Sequence, residues 1–214
     1  MSACGEKAID YERRSAILSY LLAVLAGLLL SGVLIIDFRK VDVSPPRRVL
    51  SNVLNILVMT GVCIAAVYNN GLTYRFIIYA MLGVNLLYIS NSDIREQTVS
   101  YETICISVIC ALAVLAFNKD NAWWNYILTG VGFTLVFMLI SRVTRSAVGI
   151  GDALITGSIG LYLGFFHTLV VVILALLLGG VLSLILFILK KVTRQTPLPF
   201  APFLAAGFLV SILI

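Results

Sequence analysis

The chain has 214 residues, 61% of them hydrophobic and 12% charged, with a mean hydropathy of +1.07 and a formal net charge of +5. A soluble domain carries about 25% charged residues, so a water-soluble globule is excluded, as are a disordered chain, a collagen-like chain and a disulfide scaffold. What fits is an all-α, polytopic integral membrane bundle of about eight transmembrane helices. In chain order, the apolar runs between polar breaks predict spans over 15–36, 53–68, 76–92, 102–117, 124–140, 151–166, 169–189 and 199–214. No internal repeat and no low-complexity stretch interrupts them, so residues 1–214 read as a single membrane-embedded domain. Cys4, Cys63, Cys105 and Cys110 form no CxxC pair, and neither a metal site nor a disulfide framework is expected.

The basic residues orient the bundle. Loops after the odd-numbered spans hold Arg39, Lys40, Arg47, Arg48, Arg95, Arg142, Arg145, Lys190, Lys191 and Arg194, ten in all; the other side holds Lys7, Arg13, Arg14, Arg75 and Lys119. That bias places the odd loops in the cytoplasm and both termini outside. The positive charge is therefore read as topology and contact with anionic membrane lipids, not as nucleic-acid binding. Trp123 and Trp124 suit the outer interfacial belt, and His167 falls in the expected outer turn between the sixth and seventh spans.

Most acidic residues fall in polar segments, but two do not. Asp93 ends the third span and Asp152 opens the sixth, both on the side counted as cytoplasmic. An ionisable group at a span's edge is costly unless it snorkels, pairs or works. Two carboxylates at one depth can share a proton, because like charges so close do not both ionise cheaply. One then activates a water while its protonated partner supports the carbonyl under attack. Helix direction separates them: Asp93 is expected at a helix C-terminus and Asp152 at an N-terminus, where partial positive charge favours the carboxylate. The resting charge is accordingly expected on Asp152 and the shared proton on Asp93. Gly149 and Gly151, just before Asp152, leave the backbone bare for a substrate strand to approach.

Three pieces in order resemble the prepilin peptidases, the type IV leader peptidase family of GxGD membrane aspartyl proteases. They are Asp93-Ile94-Arg95-Glu96-Gln97-Thr98-Val99, then Gly149-Ile150-Gly151-Asp152 with the glycine-spaced run Gly157 to Gly164, and then Pro197-Leu198-Pro199-Phe200-Ala201-Pro202. The resemblance implies endoproteolysis, at the cytoplasmic face of a prokaryotic plasma membrane, of the short basic leader of a prepilin-like or pseudopilin substrate. Asp93 and Asp152 take the catalytic places. Gly149, Gly151, Pro197 and Pro199 are expected to bind substrate, with Glu96 meeting the basic leader. Family members often carry a zinc-binding cytoplasmic domain with two CxxC pairs and also methylate the new N-terminus. The corresponding loop, Asp37–Asn52, is short and lacks cysteine, so a minimal form is expected, with no cofactor. The competing readings are a small proton-coupled transporter and a non-catalytic secretion assembly factor.

Overall fold

A computed structural model describes residues 2–38, 45–96, 101–117, 123–143, 149–190 and 199–213. Among them are seven helices and no strand: α1 (Ser2–Phe38), α2 (Pro45–Asn70), α3 (Tyr74–Glu96), α4 (Tyr101–Phe117), α5 (Trp123–Val143), α6 (Ile150–Ile188) and α7 (Ala201–Leu213). Five of them, α1, α2, α3, α5 and α6, contain stretches long and apolar enough to cross a membrane, while α4 and α7 are shorter apolar helices. Large apolar side chains point outward along most of their length, among them Leu50, Leu57, Leu139 and Ile188. A soluble bundle would bury such residues on one stripe; a bundle solvated by lipid has no need to. The protein is an integral membrane helical bundle.

Residues 1–80 form one compact unit. Within it α1 packs on α2, and the two backbones come close where Gly27 crosses Thr60: a Cβ on Gly27 would lie 2.8 Å from Thr60 Cα. Proline at the first two positions of α2 suits a helix start, where no intrahelical acceptor awaits the N–H. Its end is set by Gly71, which adopts a left-handed φ of 64° and donates its N–H to the Val67 carbonyl at 2.8 Å.

Residues 81–214 form the second unit. Here α6 is the central element, packed against α4, α5 and α7. Its buried face is built from small residues, including Ala153, Thr156, Gly157, Ser158, Gly160 and Ala175. Lipid offers no hydrophobic drive for helix association, so close backbone approach and van der Waals contact must supply it. At Gly160 an added Cβ would come within 2.9 Å of the Gly130 backbone, and at Gly157 it would overlap Thr134 Oγ1.

The expected division between sixth and seventh spans exists, but it is earlier than the 166–169 boundary. Gly164 interrupts α6 with φ 71° and ψ −176°, a combination essentially confined to glycine. The Thr168 hydroxyl donates to the Gly164 carbonyl at 2.7 Å, giving a partner to a backbone group at the interruption. His167 follows this break and is exposed. Residues 150–163 and 165–188 are thus two helical segments joined at one glycine. Helix α1 also starts well before its apolar stretch, beginning at Ser2.

Candidate active site

Asp93 lies in the last turn of α3, three residues before its end at Glu96. It is only 6% exposed. A carboxylate so placed needs a partner, and it has one from a distant part of the chain: Ala201, the first residue of α7, donates its backbone N–H to Asp93 Oδ2 at 3.0 Å. The third helix and the last are joined here by a buried hydrogen bond across 108 positions of sequence.

Asp152 is the third residue of α6, which starts after the N-cap Gly149. Its Oδ2 reaches back to accept the Gly149 N–H at 3.3 Å, the carboxylate half of a capping box. The carboxylate thereby satisfies one amide at the helix start and is held at the lip of the helix. Asp152 is half-buried, Gly151 half-buried and Gly149 exposed. At Gly149, φ −67° and ψ 147° are open to any residue, so the glycine is not required by backbone conformation. What it supplies is space, since a Cβ there would sit 3.3 Å from Asp152 Oδ2.

Asp93 and Asp152, 59 residues apart in sequence, both lie in the second unit, and the charge of Asp93 is felt at Asp152. Pro199 stands half-buried two residues before the first residue of α7. Glu96 is the final residue of α3, and Pro197 lies outside the described residues. Among the described residues no group of three His, Cys, Asp or Glu side chains could hold a metal ion.

Sequence reasoning did not single out Ala201, which has no chemistry in its side chain. Its signal was positional: Pro199-Phe200-Ala201-Pro202 before an apolar run is the pattern of a helix start. A second polar connection was also missed. The Tyr162 hydroxyl donates to the Ser107 carbonyl at 3.1 Å and accepts from Asn85 Nδ2 at 3.4 Å, linking α6 to α4 and α3. Ten residues separate Tyr162 from Asp152, roughly 15 Å along a helix, so this link braces the bundle away from the carboxylates.

Comparison with known proteins bears on residues 80–184, which match the model of the type IV leader peptidase family. Three curated relatives each bear the name prepilin leader peptidase/N-methyltransferase. The protein from Xanthomonas campestris pv. campestris is 24% identical over 160 residues, covering 72% of this chain and 56% of its own. That from Bacillus subtilis is 23% identical over 128 residues, 60% of this chain and 52% of its own. That from Stutzerimonas stutzeri is 24% identical over 138 residues, 62% and 48% respectively. The chain thus spans about half the length of the curated relatives it matches. No solved structure matches it significantly.

Proposed function

Since the chain belongs to the type IV leader peptidase family through residues 80–184, we propose that it is a membrane aspartyl endopeptidase that removes the short basic leader of a prepilin-like or pseudopilin protein. What supports this reading is that Asp93 and Asp152, carboxylates from different helices of the same unit, lie within electrostatic reach of one another. One carboxylate takes a proton from the attacking water. The other, protonated, donates to the carbonyl oxygen of the scissile peptide. As the resulting gem-diol collapses, the proton taken from water passes to the leaving amine and a hydroxyl proton returns to the other carboxylate, so the pair again holds one proton and no covalent intermediate forms. Gly149 and Gly151 leave room beside Asp152 for an extended substrate strand. Pro199 lies two residues before Ala201, whose amide anchors Asp93, and with Pro197 and Glu96 completes the set of proposed substrate contacts.

The ten-to-five bias of basic residues supports a site facing the cytoplasm of a prokaryotic plasma membrane. N-methylation is not part of the proposal, because the loop that would carry the zinc-binding cysteines has none.

The test is cleavage of a peptide carrying a basic leader, a glycine and an apolar helix by protein reconstituted in liposomes. Asp93→Asn and Asp152→Asn should each lower the rate by about 10²–10⁴-fold, the usual range for a lost general acid or base. Equal product from wild type and both variants would remove the enzyme and leave the transporter or assembly-factor reading.

A further inference from the structure

The first turn of α7 accounts for each of its amides. A helix start leaves its first four N–H groups without an intrahelical acceptor. In α7, Pro202 has no N–H to place, while Phe203 and Leu204 donate to the Phe200 carbonyl at 3.0 and 3.2 Å. Only the Ala201 amide remains, and it points at Asp93. Ala201 is fully buried and Asp93 nearly so, so the bond is shielded from competing solvent. The seat of α7 is fixed independently of that bond. A Cβ on Gly207 would lie 2.6 Å from the Val171 carbonyl oxygen, and Gly179 of α6 meets the Phe203 ring.

We propose that the Ala201 N–H is a positioning donor: it locks the Asp93 carboxylate in the orientation in which that group meets Asp152, so the pair is assembled only while α7 is docked. This rests on the peptidase reading for its consequence, but the link between α7 and Asp93 is testable without it. A backbone donor at a buried helix start moves less than a side chain. Its bond to a carboxylate is of the charge-assisted, stronger kind. Pro202 sharpens the arrangement by removing the neighbouring amide that would otherwise compete for the same oxygen.

Two substitutions separate the amide from the packing. Ala201→Pro deletes the N–H at a helix position that proline fits well. Ala201→Val adds the same number of carbons and keeps the N–H. In liposomes, Ala201→Pro should lower kcat about ten- to hundredfold, the value of one hydrogen bond to a charged group, with KM changed less than about twofold. Ala201→Val should retain most of kcat. In parallel, the Ala201 amide proton of the ¹⁵N-labelled full chain should resonate downfield, move upfield in Asp93→Ala and stay in place in Asp152→Ala. Equal loss of kcat in the Pro and Val variants, an unchanged kcat in Ala201→Pro, or a resonance indifferent to Asp93→Ala would overturn the proposal. Absence of cleavage by wild type sinks the peptidase reading instead, and the resonance then upholds or overturns the Ala201–Asp93 link by itself.

Discussion

The seam between α5 and α6 offers the sharpest test of how this bundle holds together. Gly160→Ala adds one methyl group where a Cβ would sit 2.9 Å from both the Cα and the nitrogen of Gly130 and 3.1 Å from the Thr129 carbonyl carbon. All three are backbone atoms, so no side chain can swing away. Relieving the clash to an ordinary contact requires the helices to part by about 0.5 Å, and a gap of that size forfeits about a quarter of each van der Waals well along the seam. Overpacking of this kind costs about 1–3 kcal/mol. Alanine also gains about 1 kcal/mol over glycine as a helix former, which would mask part of the cost. Gly132→Ala cancels that term: it lies in α5, and nothing stands within 4 Å of its added Cβ. Unfolding measured by steric trapping in bicelles should therefore find Gly160→Ala about 1–3 kcal/mol less stable than Gly132→Ala. If the two variants agree within about 0.5 kcal/mol, the seam relaxes freely and close backbone approach is not what unites α5 and α6.

Three further outcomes follow from single residues. Gly164→Ala should cost about 1–3 kcal/mol by the same unfolding measurement, because alanine at φ 71° and ψ −176° is strained whatever the space around it; a neutral result would show that the interruption of α6 does not depend on that glycine. Gly149→Ala should leave stability within about 0.5 kcal/mol of wild type, since its backbone angles suit any residue. It should nevertheless slow peptide cleavage severalfold, because Asp152 Oδ2 must give by a few tenths of an ångström, well short of the about 10²-fold cost of a 1 Å misplacement. Tyr162→Phe should do the reverse. It removes the hydroxyl donated to the Ser107 carbonyl and should cost about 0.6 kcal/mol, an average interhelical value in membranes, with kcat unchanged; a large fall in kcat would tie that polar link to the reaction.

Hydropathy alone was enough to read the helical class, because lipid exposure demands apolar residues on every outward face and the spans follow from that demand. Asp93 and Asp152 were legible for the same reason: a carboxylate at the edge of an apolar run stands out against its surroundings. What hydropathy does not carry is backbone conformation. The break in α6 was expected near His167, where polar side chains interrupt the run, yet it occurs at Gly164, within a stretch as apolar as its neighbours. Helix α1 begins at Ser2 although its apolar part starts only at Ser15, since helix formation and lipid burial are separate requirements. Ala201 was invisible because its contribution is an amide that every residue but proline possesses. The roles expected for Glu96 and Pro197 depend on side chains outside the described residues.

The position of Ala201 also changes how the two carboxylates compare. Helix direction alone set Asp93 at the unfavourable end of α3 and Asp152 at the favourable end of α6. Asp93 does stand in the last turn of α3, but it also faces the start of α7, so each carboxylate accepts one amide at a helix N-terminus: Gly149 for Asp152, Ala201 for Asp93. Only Asp93 also stands at a helix C-terminus, so the dipole difference that favours charge on Asp152 is reduced but keeps its sign. A second difference is access. Asp93 is buried and accepts the Ala201 amide, whereas Asp152 is half-buried beside an exposed Gly149. On the peptidase reading, water and the substrate strand must reach the pair from the Asp152 side, past the two glycines. On that reading the starts of α6 and α7 do complementary things: one holds its carboxylate at a half-buried position with room beside it, and the other holds its carboxylate through a single buried amide.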